Sequence, residues 1–343
     1  MDPSELEQMI SAGTKSVEAY QAYIKSRAPS IQYNKDERFR YLNLALALDS
    51  TFSRAHSSMA VLYQTELTPV VIGYGSMLIP YEEKLALFNE SIDKAIDFAP
   101  TESDRKLYES RKSFVNLDFR RSLSILDEYR QERPKDTRAI DLAIIISTHL
   151  RERELALSYC QDFRANMLEN ADDYTTLVAN YFWAGAYQEG AAVAQEGLKK
   201  FPNNNPLIYQ SHRIFLWAGK WEEATNISRN ISDENFSADA VNMLQLRQAC
   251  MEKDSEKALQ IYNERMSDID IGSRWIALRF LGRKEEAYDL IRYLDEKNEL
   301  FSLSTWLHYP YFDYKEFPNL ERKLQSLEIR NLPVEEVPFA LKR

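Results

Sequence analysis

The sequence predicts an all-α stack of helical hairpins, and three observations predict it. A phrase recurs: Ala184-Gly185-Ala186-Tyr187-Gln188-Glu189 returns 34 residues on as Ala218-Gly219-Lys220-Trp221-Glu222-Glu223, and Leu281-Gly282-Arg283-Lys284-Glu285-Glu286-Ala287 is a third copy. One register position recurs too: Phe88, Ser122, Ala156, Gly190, Ala224 and Ala258 are spaced by equal steps of 34. No Val/Ile/Thr alternation of the kind that makes strands is present. A fixed period between about 20 and 50 residues marks a solenoid, in which each unit is too small to hide its own apolar face and buries it on the next.

Numbering each repeat from 1 to 34 puts the small residue at position 20, where the second helix crosses the first closely. Position 17 is then aromatic (Phe119, Tyr187, Trp221). Glycine at 15 (Gly185, Gly219, Gly282) accepts the left-handed conformation that ends a first helix. Proline at 32 (Pro100, Pro134, Pro202) lacks the backbone donor and stops the second helix. With these residues in these places the chain resembles the tetratricopeptide-repeat (TPR) family over residues 17–298. Departures are bulky Phe88 at position 20, charged Lys257 beside Ala258, and no proline closing the repeat of Ala156. The resemblance implies a right-handed superhelical solenoid of about eight TPR-like hairpins with a C-terminal capping segment.

Taken in order, residues 1–16 read as an N-terminal tail or linker. Val17, Tyr20 and Ile24 form one stripe of a first helix, and its partner over residues 36–48 turns Leu42, Ala45 and Leu46 inward. The next hairpin opens with Ala55, Met59, Ala60 and Tyr63, but Phe88 comes 16 residues later than the period requires. The excess is an apolar insertion near 64–80, containing Val70 to Ile79, read as a loop between lengthened helices or as a flap. Regular hairpins follow, and the last step, Ala258 to Ala287, is shortened to 29. Residues 299–343 leave the repeat. Trp306, Tyr309, Tyr311, Phe312, Tyr314 and Phe317, with a stripe of Leu320, Leu324 and Leu327, read as an aromatic-rich cap over the apolar end.

The cap carries a second likeness. Tyr309-Pro310-Tyr311-Phe312-Asp313 followed by Phe317-Pro318-Asn319-Leu320-Glu321 is similar to the ending of TPR regions fused behind bacterial signalling domains, either adenylate/guanylate cyclases or winged-helix regulators. Val17 to Tyr23 is similar to how such regions begin. That resemblance implies the regulatory part of a bacterial signalling protein.

Bulk properties exclude several classes. Forty-three Lys and Arg against 53 Asp and Glu leave a formal charge of −10, a poor basis for holding nucleic-acid phosphates. No apolar run approaches the ~20 residues of a membrane span, and the opening residues carry no signal-peptide pattern, so a soluble chain, cytoplasmic or periplasmic, is expected. Cys160 and Cys250 lie repeats apart and are expected to stay unpaired.

Chemistry is sparse. His56, His149, His212 and His308 have no partner at metal-ligand spacing, so no metal and no cofactor is expected. Gly73-Tyr74-Gly75 lacks the rest of a phosphate loop. The pairs Glu82-Glu83, Asp172-Asp173, Glu222-Glu223 and Glu285-Glu286 stand where helices should start, and the helix dipole explains them better than acid–base catalysis.

The informative residues lie on the inner wall. In TPR proteins the first helices line a concave groove through positions 2, 5, 9, 12 and 13. Those positions hold Tyr209 (5); Arg111, Arg213 and Arg247 (9); Phe182 and Leu216 (12); and His149, Trp183 and Trp217 (13). Trp183 and Trp217 read as a ladder with arginines one turn behind, an aromatic–guanidinium surface of the hot-spot type. The clamp for a terminal dicarboxylate used by chaperone-binding relatives is missing. The expected function is therefore a non-catalytic protein–protein interaction module holding a peptide or partner helix in its groove. The alternative is a small-ligand sensor with the 64–80 insertion as its flap.

Overall fold

The computed structural model describes residues 3–28, 34–69, 79–166, 168–231, 236–329 and 332–342. Among them the chain is all-helical and contains no strand. After α1 (Pro3–Ser11) come eight antiparallel hairpins: α2 (Val17–Ser26) with α3 (Lys35–Leu48), α4 (Ser53–Glu66) with α5 (Tyr81–Asp97), α6 (Glu102–Val115) with α7 (Phe119–Glu132), α8 (Thr137–His149) with α9 (Arg153–Asn166), α10 (Ala171–Trp183) with α11 (Tyr187–Lys200), α12 (Asn205–Trp217) with α13 (Trp221–Arg229), α14 (Ala238–Glu252) with α15 (Ser255–Ile261), and α16 (Ile271–Phe280) with α17 (Lys284–Glu296). Helices α18 (Leu300–Ser304) and α19 (Pro318–Ser326) follow. The eight TPR-like pairs match the expected architecture. They fall into two units, one ending at Pro134 and the other beginning at Lys135.

The period is written into the backbone. Leu117, Arg151, Gly185, Gly219 and Lys253 all have positive φ, between +60° and +73°, and each is 34 residues from the next. Gly282 continues the series after the shortened step, with φ +70°. At three of these turns the left-handed residue is not glycine, at a cost of about 1–2 kcal/mol each that hairpin packing must offset. The shortening has a local counterpart: α15 passes into a π-helical stretch at Tyr262–Met266 before α16 begins.

Position 20 is where paired helices touch. Ser122, Ala156, Ala224 and Ala258 are wholly buried there. Ser122 and Ser110 tie α7 to α6 by each donating a hydroxyl to the other's carbonyl, at 2.7 and 2.9 Å. At Gly190 the approach is too close for a side chain, since a Cβ would lie 2.9 Å from both Ile214 Cγ1 and Tyr181 Cβ. Phe88, the bulky departure, is also fully buried. Helix α5 also starts about a turn earlier relative to position 20 than the other second helices do.

Residues 3–11, within the expected tail or linker, form α1; Met9 is buried, and Ala12 just beyond the helix joins the core built around Tyr23, Phe52 and Leu62. Thr14 donates its hydroxyl to Asp49 and anchors the end of that helix. In α2 the buried face is Ala19, Ala22, Tyr23 and Ser26, while Ile24 is 48% exposed, because small alanines allow the close approach to α3. Of the insertion near 64–80, residues 70–78 lie outside the described residues, and with them the flap.

In the second unit the first helices α8, α10, α12, α14 and α16 lie side by side as one wall. The acidic pairs sit in the first turns of α5, α10, α13 and α17, as the dipole argument requires. Asn170 and Asp173 complete a capping box on α10. The Phe-Pro-Asn-Leu-Glu phrase has a visible role: Asp295, buried at the end of α17, accepts the backbone N–H of Asn319 and Leu320 at 3.0 and 2.8 Å and so caps α19. In the preceding phrase, the Asp313 N–H donates to the Tyr288 hydroxyl at 2.9 Å.

These contacts separate two kinds of glycine. A Cβ at Gly219 would meet nothing within 4 Å, so Gly219→Ala carries only the backbone penalty and should lower stability by about 1–2 kcal/mol. Gly190→Ala has no φ penalty and instead forces two helices apart, at about 1–3 kcal/mol. Denaturant unfolding of both variants checks this, and a neutral Gly190→Ala would refute the close crossing.

Candidate functional site

The inner wall of the second unit collects seven of the eight residues singled out from the sequence. Arg111 belongs to the first unit, where its guanidinium donates to Gln64 Oε1 at 2.7 Å. The other seven stand on α8 (His149), α10 (Phe182, Trp183), α12 (Tyr209, Arg213, Trp217) and α14 (Arg247). Leu216, also assigned to the groove, is fully buried and serves packing.

The wall is not bare. The chain's own C-terminal segment lies on it. His308 packs on Trp183 with ring centroids 4.9 Å apart and on His149 at 5.7 Å. Tyr309 meets Phe182 edge-on at 6.4 Å, and Tyr311 stacks on Trp217 at 5.6 Å and on Trp275 at 5.4 Å. The expected tryptophan ladder is therefore interleaved: among the described residues the indoles meet C-terminal aromatics rather than one another. Arg151, in its left-handed turn, donates to the Leu307 carbonyl at 2.9 Å. Residues 307–311, expected to cover the end of the stack, thus lie on this wall.

A second pass of chain lies beside the first. Residues 332–342 form an irregular strap in which Val337 and Phe339 are buried while Val334, Glu336 and Pro338 are exposed. Glu335 is gripped at both oxygens, by the Tyr187 hydroxyl and the Arg153 guanidinium, each at 2.6 Å. Phe339 sits between Phe280 at 5.0 Å and Trp217 at 6.3 Å. Lys253, another left-handed residue, donates its ammonium to the Phe339 and Ala340 carbonyls, and the Leu341 N–H donates to the Phe280 carbonyl at 2.9 Å. Gly282 lies so close that any Cβ there would run into the Leu341 carbonyl oxygen. Sequence reasoning missed the strap. Its one signal was the alternation of Val337, Phe339 and Leu341, too short to separate from a cap.

Beneath the aromatics lie two guanidiniums. Arg247 is 1% exposed; its Nε donates to the Met243 carbonyl at 3.3 Å, and both Nη atoms are buried without an acceptor. Arg213 has its Nε and one Nη buried in the same condition. Neither forms an ion pair among the described residues. Ring faces substitute in part: the Arg213 guanidinium lies 4.0 Å from the Phe182 centroid, and that of Arg247 4.3 Å from Tyr209. A desolvated cation–π contact is worth about 2 kcal/mol, whereas burying an ion costs several. Burial lowers the pKa of both arginines, and burial raises those of Tyr309 and Tyr311 beside them.

Among the described residues no group of three or more His, Cys, Asp or Glu is placed to hold a metal ion. Cys160 and Cys250 are buried free thiols whose pKa values burial raises. A separate cleft of about 1020 Å³, lined among others by Gln195, Leu198, Ile208, Phe215 and Ile227, includes none of the seven wall residues. No described helix is long and apolar enough to cross a membrane.

The buried histidines give the wall a measurable pH signature. Burial pulls His149 down to about 4 and His212 to about 3, and holds His308 well below its ordinary value. Below the ordinary value of about 6.5 the unfolded chain therefore binds protons that the folded chain does not, and stability falls as pH falls. Denaturant unfolding at about pH 7.5 and about pH 5 should show a loss of roughly 2 kcal/mol for each such histidine, and His149→Phe should remove its share. Equal stability at both values would show these imidazoles to be solvated.

No family model and no curated protein matches the chain. Among solved structures, PilF of Pseudomonas aeruginosa is similar at 14% identity over 74% of this chain and 94% of its own, with a TM-score of 0.35. The TPR domain of P58(IPK) is similar at 14% identity over 95% and 91%, with a TM-score of 0.24. Scores this low carry no argument; the fold stands on the chain's own repeat.

Proposed function

We propose that the chain is a non-catalytic protein-interaction module whose second-unit wall receives a peptide or partner helix where the strap now lies. One observation carries this reading: residues 332–342 already sit there as a peptide would. An acidic side chain is held by Tyr187 and Arg153, apolar side chains alternate into the wall, and main-chain groups bond to Lys253 and Phe280. Main-chain bonds for affinity and alternate side-chain seats for specificity are the usual terms of peptide recognition. The partner has the strap's chemistry: a carboxylate, then Val, Phe and Leu or close analogues at every second position. The likeness of residues 309–321 to TPR regions behind signalling domains supports a regulatory role in a bacterial signalling protein, with partner and strap competing for one surface.

The test uses a fluorescent peptide of residues 332–342 and the full chain with its strap unhooked by Glu335→Ala and Phe339→Ala. An intramolecular occupant reduces apparent affinity to the intrinsic value multiplied by the fraction of time the surface is free. The double variant should bind the peptide at least about tenfold more tightly than the unmodified chain. No saturable anisotropy change with the double variant would remove the wall as a peptide site.

A further inference from the structure

We infer that Arg213 and Arg247, with the phenols of Tyr209, Tyr309 and Tyr311, form a binding site for a compact small-molecule oxyanion, a phosphate or carboxylate. The inference stands on buried guanidinium N–H groups that have no acceptor. Arg247 is almost wholly buried and turns two Nη atoms inward with nothing to receive them; Arg213 does the same with Nε and one Nη. Among the described residues, the hydroxyls of the three tyrosines make no hydrogen bond either. The groups share one neighbourhood. Tyr309 and Tyr311 lie ring to ring at 5.5 Å, Tyr309 packs on the Phe182 ring that carries Arg213, and Arg247 lies over Tyr209. Both guanidiniums interact electrostatically with all three phenols, and Arg247 repels Arg213.

A purely structural role does not account for this set. Arg153 answers the Glu335 carboxylate, whereas Arg151, like Arg247, reaches one carbonyl and leaves two other nitrogens buried without an acceptor; among the described residues, though, Arg151 has no second guanidinium of that kind beside it. Here two cations stand together, and among the described residues neither has a carboxylate within ion-pair distance. An oxyanion supplies what is missing: negative charge for two forks, and acceptor oxygens for guanidinium N–H and phenol O–H groups alike. Phosphate and carboxylate share that chemistry, and a test with each separates them.

The inference is independent of the peptide reading, because its probe is a free ion and no strap residue is altered. The melting temperature of the full chain is followed while inorganic phosphate, or acetate, replaces chloride at constant ionic strength, and binding heats are measured alongside. Phosphate or acetate should stabilise the chain saturably where chloride does not, and the stronger of the two names the source. Arg247→Met and Arg213→Gln should each weaken the effect by about tenfold or more while leaving the chain folded in chloride. If one variant fails to fold, the other and the calorimetry of the unmodified chain decide. Equal melting temperatures in all three salts, or a phosphate effect undiminished in both variants, would overturn the site.

Discussion

The structure depends on one backbone constraint, a single left-handed residue that turns the first helix of a hairpin back into its second from α6 to α17. It fixes where the second helix starts, and three residues further on it fixes which side chain is squeezed at the crossing. From Leu117 to Lys253 that constraint recurs every 34 residues whether or not the residue is glycine. Where it is Arg151 or Lys253, the side chain leaving the turn donates to a carbonyl of the C-terminal segment. The element that makes the repeat therefore also fastens what lies on its inner face.

That face is a compromise between packing and charge. Aromatic rings from α10, α12 and α16 and from residues 306–312 interlock closely enough to exclude water, which strengthens every contact they make. The same exclusion strands the guanidiniums of Arg213 and Arg247 on ring faces. Positive charge held in a dry aromatic enclosure is the tension from which both functional readings start.

Much of the fold was legible because its constraints act on single residues at a fixed spacing. Small side chains at Ser122, Ala156, Gly190, Ala224 and Ala258, prolines after helices, and acids in first turns each leave a mark in the sequence. What escaped notice had weaker marks. Among its described side chains helix α1 buries Met9 alone, so its amphipathic pattern is too sparse to read. Left-handed Leu117, Arg151 and Lys253 carry no local signal, since tertiary packing alone holds them there. The wall residues were legible as a set because position within a repeat predicts facing. Their covering was not, because Trp183 and His308 come together only through the return of a distant segment.

Gly282 joins two requirements that usually fall to different residues. Its φ of +70° closes the last hairpin, and its bare Cα leaves room for the Leu341 carbonyl. A methyl group at that one position would act twice, straining the turn at its left-handed φ and displacing the Leu341 carbonyl. A single inherited side chain there thus works against the last hairpin and its covering segment at once.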